Sequence, residues 1–169
     1  MLQNLEDLAE LAKKPLEEFN AFCIEHELLG KVVADHIGFK CGSSETYVGI
    51  RAALESKVAF LYQSIISNRR ISILGLPQGL PSRVGPLNYL QLSDQKPDGS
   101  QVDGIDHLEI VPLSVTYEGL LADLQARHVK MKEIIRPHHI TYDIVLPSGF
   151  IIKLSREMLL DKIKREEMK

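Results

Sequence analysis

Asp35-His36-Ile37-Gly38-Phe39 and Asp106-His107-Leu108-Glu109-Ile110 decide how this 169-residue chain is read. They lie 106 − 35 = 71 residues apart. Past one gap after Ser43 the likeness continues at an offset of 70, pairing Thr46-Tyr47 with Thr116-Tyr117, Gly49 with Gly119, Ala52 with Ala122 and Leu54 with Leu124. With Asp, His and Ser43/Ser114 this makes eight identities in 19 aligned positions, where average composition gives on the order of one. Leu76-Pro77-Gln78-Gly79-Leu80 matches Leu146-Pro147-Ser148-Gly149-Phe150 at the same offset. Leu90-Gln91-Leu92-Ser93 matches Ile152-Lys153-Leu154-Ser155 at an offset of 62, so the first copy carries eight extra residues before its last strand. An internal repeat sets the architecture before any local motif does.

Each copy reads as a strand, a helix and three strands. Hydrophobic alternation and turn residues give strands at 34–41, 58–66, 69–76 and 87–93 with a helix at 44–56 in the first copy. The second copy gives strands at 105–111, near 131–136, 138–146 and 150–155, and a helix at 115–128. One four-stranded unit leaves a sheet face uncovered, and two can enclose it. The expected fold is α+β: two pseudo-symmetric βαβββ modules forming a curved mixed sheet around a central cleft. Leu2, Leu5, Leu8 and Leu11, then Phe19, Phe22 and Cys23, predict two N-terminal helices, 2–13 and 15–28, divided at Pro15 and ended by Gly30. Met158, Leu159 and Ile163 predict a closing amphipathic helix over 156–168. The layout is one domain of 1–169, with N-terminal helices in 1–30, modules at 31–98 and 99–156, and a C-terminal helix in 157–169.

Composition narrows the function classes. The chain is 44% hydrophobic and 25% charged, the profile of a globular protein rather than a disordered one. Twenty Lys plus Arg against 23 Asp plus Glu give a net charge of -3, without the basic footprint of a nucleic-acid binder. The longest apolar stretch, Val58 to Ile66, falls short of the roughly 18 residues of a membrane span. The first ten residues carry Glu6, Asp7 and Glu10 without Lys or Arg, unlike a secretory signal, so a cytoplasmic location is expected. Cys23 and Cys41 show no C-x-x-C spacing and are expected to be buried free thiols.

Strand alternation places His36, Gly38 and Lys40 on one face and Ile37 and Phe39 on the other, toward the helices. In the second copy His107, Glu109 and Val111 face the cleft. The repeat pairs Gln91 with Lys153 on the last strands, so His36, Gln91, His107 and Lys153 are expected to point inward. Adjacent His138 and His139 face opposite ways and cannot chelate together. His26 and His128 are expected to be solvated, Tyr47 and Tyr117 to anchor the core, and Tyr142 is a weaker candidate for the cleft.

Two βαβββ modules with inward residues on the first and fourth strand of each resemble the vicinal-oxygen-chelate superfamily of glyoxalases, extradiol dioxygenases, epimerases and antibiotic-resistance proteins. Ala34-Asp35-His36-Ile37-Gly38-Phe39-Lys40-Cys41, Asp106-His107-Leu108-Glu109-Ile110-Val111 and the preface Asn4-Leu5-Glu6-Asp7-Leu8 resemble the YecM-like proteins over nearly the whole chain. The resemblance implies a divalent metal (Zn, Fe, Ni or Mn) held at the four strand positions, with His36, His107 and Gln91 as ligands. It implies open sites for two oxygens of a small molecule. The chain departs from the pattern at Gln91, where a glutamate is expected, and at Lys153, whose ammonium has no free lone pair for a metal. Glu109 can supply the missing carboxylate, with its counterpart Gly38 leaving space for it. Lys153 can pair with Glu109 or Glu45 or hold a substrate carboxylate. Glu109 and Lys153 are therefore the candidate catalytic groups of an isomerase, lyase or oxygenase; the alternative is a cleft that binds metal or ligand without turnover. The expected partner is a small molecule, with the protein a monomer or homodimer.

Other motifs fail. His26-Glu27 lacks the second His of a zincin helix, His107-Leu108-Glu109 has no P-C-x-x-C after it, and Lys96 and Ile105 break a calcium loop over 94–106, which reads as a surface loop.

Overall fold

The computed structural model describes residues 2–137 and 139–167. They run α1 (Leu5–Glu25), β1 (Val32–Lys40), α2 (Ser44–Glu55), β2 (Phe60–Ile66), β3 (Arg69–Leu80), β4 (Leu87–Ser93), β5 (Gly104–Pro112), α3 (Tyr117–Ala126), β6 (Lys132–Arg136), β7 (His139–Val145), β8 (Ile151–Leu154) and α4 (Leu159–Glu167). The strands form one mixed sheet in the order β2-β3-β4-β1-β5-β8-β7-β6. Within each βαβββ module the first strand pairs parallel with the last, β1 with β4 and β5 with β8, and the modules join through antiparallel β1 and β5 at the centre. The fold is α+β with two pseudo-symmetric modules, as expected.

A period of two divides the strands between the faces of the sheet. Leu74, Leu90, Ile37, Leu108, Ile152 and Ile144 form a single row across six strands and are all buried against the helices. Ser43 and Thr116 cap α2 and α3, accepting from the amides of Thr46 and Gly119. Tyr47 and Tyr117 follow in the first turns of these helices, buried in the core.

Pro15 does not divide the N-terminal segment. Leu8, Ala12, Leu16, Phe19, Phe22 and Cys23 keep one buried stripe through it, so packing holds a single helix that tolerates the proline's missing hydrogen bond. Nor does Gly30 end it. Glu27 takes the left-handed conformation (φ 55°) while the Leu28 amide reaches back to the Cys23 carbonyl at 2.9 Å, closing the helix three residues earlier. The 94–106 segment is more than a surface loop: Gln101 is buried and donates to the carbonyls of Cys41 and Asp94, pinning the segment that links the modules.

The other sheet face carries the cleft. In the first module Ile71 and Ile73, with Tyr62 and Tyr89, pack against Leu159 and Ile163 of α4 in a cluster separate from the main core. No helix of the described residues is long and apolar enough to cross a membrane.

Candidate metal centre

Two β-bulges shape the middle of the cleft. Along the β1–β5 pair the register steps from Ala34↔Ile110 to His36↔Glu109, skipping Asp35, and from Gly38↔His107 to Phe39↔Ile105, skipping Asp106. A bulge bends the strand and re-aims the extra residue. Each skipped aspartate meets the imidazole that follows it: Asp35 Oδ2 lies 2.8 Å from His36 Nδ1, and Asp106 Oδ1 lies 2.7 Å from His107 Nδ1. An ionised carboxylate only accepts, so each ring donates from Nδ1 and, in its neutral form, keeps its Nε2 lone pair.

The two imidazoles meet edge to face, with ring centroids 6.0 Å apart. His36 Nε2 lies 3.6 Å from Glu109 Oε2 on the neighbouring strand. His107 fills the space over Gly38, where an added Cβ would sit 2.0 Å from its Cε1. Asp35 Oδ1, His36 Nε2 and Glu109 Oε1 are buried without a hydrogen-bond partner. One ligand atom from each of these three residues lies within 4.8 Å of the others. Unsatisfied buried polar atoms are costly, about 1–3 kcal/mol apiece, and a nitrogen with two carboxylates is a donor set that suits a borderline divalent cation. The residues therefore fit a metal.

Burial is the largest influence on His36 and pushes its pKa down, but the Glu109 and Asp35 carboxylates outweigh it and leave the imidazole above its ordinary value. His107 ends below its ordinary value, because burial there prevails over Asp106. Both cysteines are buried free thiols, and burial pushes each up to about 12.

Residues 4–159 match the family described as YecM protein. The chain belongs to the YecM family. Among solved structures, Protein EC4020 from structural genomics is 21% identical, with a TM-score of 0.63 over 93% of this chain and 91% of that one. A hydroxyglutarate synthase from Oryza sativa in complex with 2-oxoadipate has 10% identity and a TM-score of 0.58, covering 93% of this chain and 81% of its own. Methylmalonyl-CoA epimerase from Mycobacterium tuberculosis has 15% identity and a TM-score of 0.52, covering 78% of this chain and 91% of its own. At these identities the likeness is one of fold alone. No curated protein matches the chain in sequence.

In this YecM-family chain the sequence-predicted residues share the cleft face but not one cluster. His36, Glu109, Lys153 and Asp143 stand side by side on adjacent strands, while Gln91, Gly38 and His107 form the next row. His36 and Glu109 belong to the three-residue group; His107 lies outside it. Gly38 makes room for His107, not for Glu109 as the sequence suggested. Lys153 pairs with neither Glu109 nor Glu45: its Nζ donates to Asp143 Oδ2 at 3.0 Å, since the β7–β8 register sets these two opposite each other. Tyr142 faces away from the cleft, against Tyr117 and Glu133. His26 packs its ring on Phe22 instead of standing free in solvent. His138 and the side chain of His139 lie outside the described residues.

Asp35 and Asp106 were missed as site residues. Their signal was present in the identical Asp-His pair of both copies. Strict alternation lets only one residue of such a pair face the cleft, so a repeated pair is a mark of a bulge.

Proposed function

We propose that this chain binds a divalent cation through His36 Nε2 and Glu109, with Asp35 orienting His36 and His107 at the edge of the site, and acts on a small oxygenated metabolite. The observation that supports it is that Asp35, His36 and Glu109 each bury an unpartnered polar atom and each offer a ligand atom within 4.8 Å of the others. Nitrogen and carboxylate donors suit Zn, Fe, Ni or Mn. When bound, the cation would polarise a substrate oxygen as a Lewis acid, the chemistry of an isomerase, lyase or oxygenase.

The chain's own groups supply the rest. Asp35 fixes the tautomer that presents Nε2, the outer-shell role that carboxylates play for metal-bound histidines. The depressed pKa of His107 leaves its Nε2 free to take a proton at neutral pH. Lys153, half-buried beside Glu109, offers its ammonium to an anionic ligand oxygen while Asp143 holds it in place. Elemental analysis of protein purified without chelator is expected to find stoichiometric metal in the wild type and little in His36→Ala or Glu109→Ala. Equal metal in all three, or none in any, overturns the proposal. The same ion pair supports a second reading, a site that binds without turnover, because a lysine held by Asp143 cannot complete a four-ligand shell. Metal retention without conversion of any 2-oxo or 2-hydroxy acid tested would favour it.

A further inference from the structure

We infer that α4 is a strap across the His36 side of the cleft, and that its release controls access to the Asp35, His36 and Glu109 group; this rests on that group being the site. The cleft face of the first module is apolar at Ile71 and Ile73, and α4 lays Leu159 and Ile163 on them beside Tyr62 and Tyr89. Tyr89 is the strand neighbour of His36, and Ile73 is that of Gln91. The helix therefore roofs the part of the sheet from which His36 would be reached, and His36 is 1% exposed.

Among the described residues, one hydrogen bond ties this roof to the site. The Leu159 amide, in the first turn of α4 where no intrahelical acceptor exists, donates to Asp35 Oδ2 at 3.0 Å. The same oxygen receives His36 Nδ1. Seating the helix and orienting the imidazole thus share one atom, so opening the strap also frees the group that aims His36.

The attachment has the form of a hinge and a latch. The Ser155 amide is bonded to the Ile110 carbonyl at the end of β8, and Ser155 Oγ donates to the Glu157 carbonyl, which fixes the start of the segment. Beyond it, among the described residues, the latch is Leu159, Ile163 and this amide, with Lys162 of the helix near enough to act on His36 electrostatically. Arg165 pairs with Glu157 of the same segment, not with the sheet. Elements held by few buried contacts open at lower free energy than the core, and closure over a ligand excludes water. The main core is built without α4, so the strap can lift while the sheet stays intact.

Acylation of histidines by diethylpyrocarbonate, mapped by mass spectrometry in the full-length chain, tests this. Ile163→Asp puts a charge under the strap and is expected to raise the rate at His36 by about tenfold or more, with a smaller change at His107. Leu159→Ala with Ile163→Ala is expected to act in the same direction, and it decides the matter if the aspartate variant fails to fold. An unchanged His36 rate in folded variants overturns the strap. So does a rise at every histidine together with loss of protected β1 and β5 amides in hydrogen exchange, since α4 would then be part of the core. Zinc uptake is measured alongside: no zinc in wild type or variants sinks the metal proposal alone, because acylation reads the strap without metal.

Discussion

His36 and His107 hold equivalent places in the two modules, both buried and both bound through Nδ1 to the aspartate before them, yet their pKa values move in opposite directions. The difference is one residue. Across the β1–β5 pair His36 meets Glu109, whereas His107 meets Gly38, and positions 109 and 38 correspond in the repeat. A carboxylate on one side and a bare backbone on the other turn two copies of one dyad into an imidazole that favours its proton and one that does not. A pseudo-symmetric scaffold thus becomes an asymmetric site without any change in the strands.

The most disruptive way to break that asymmetry is Gly38→Ala. The new Cβ would sit 2.0 Å from Cε1 of the buried His107 ring, so the ring or the strand must shift. Overpacking of this kind is expected to cost about 2–3 kcal/mol, or a melting temperature lower by about 4–12 °C in a chain of this size. A melt unchanged within about 1 °C would mean that His107 moves aside freely and is not held over Gly38.

The cleft walls differ as sharply as the histidines. At an offset of 70, Ile71 and Ile73 correspond to Thr141 and Asp143, so the wall that α4 covers is apolar and its counterpart is polar. Gln91 and Lys153 complete the contrast. Lys153→Gln leaves Asp143 nearly buried and unpaired, and with some solvent screening of the pair the expected cost is about 1–2 kcal/mol. Adding Asp143→Ile copies the first wall and is expected to recover much of the loss, measured as a double-mutant cycle by urea unfolding. Simple additivity would show that the pair carries no coupling.

Glu109→Gln removes the charge that separates the histidines, and its main effect is on titration. His36 is expected to fall below its ordinary value, as His107 does, because burial is then opposed by Asp35 alone. In the wild type the raised His36 stabilises the fold at pH below the unfolded value of about 6.5, and that contribution is lost as pH rises through its folded pKa. The lowered His107 does the reverse, withdrawing stability as pH falls through 6.5 toward its folded pKa. The variant should therefore lose stability relative to wild type as pH is lowered through the raised wild-type His36 pKa and on below 6.5, read from imidazole NMR titrations and melts across pH 5–8. A His36 pKa that stays up would assign the shift to Asp35.

How far the sequence reached follows from the same geometry. The repeat sets the order of elements along the chain and the paired histidines, because period-two burial is local. The grouping of ligands was less legible, since it depends on register across strands. Gln91 and His36 are expected to point into one cleft, and the parallel β1–β4 register sets Gln91 beside Gly38, diagonal to His36. Lys153 found Asp143 through a hairpin register that no alternation pattern specifies. The role of α4 rests on Leu159 meeting a bulged aspartate 124 positions away.

Gln91→Glu is the smallest perturbation and the sharpest check on where the site ends. If the cation sits with Asp35, His36 and Glu109, a new carboxylate at 91 lies on the strand beside His36 and two residues further on, roughly 7–8 Å away. At that distance a unit charge is worth between about 0.6 and 2.2 kcal/mol for effective dielectrics of 80 and 20. Position 91 is half-buried, so the effect belongs near the lower figure. Zinc affinity is then expected to rise by less than about tenfold, with His107 moving upward in an NMR titration. An increase of about a hundredfold or more would instead make residue 91 a direct ligand. The centre would then lie between the His107 row and the His36 row, and the asymmetry argued from Glu109 and Gly38 would describe the free protein alone.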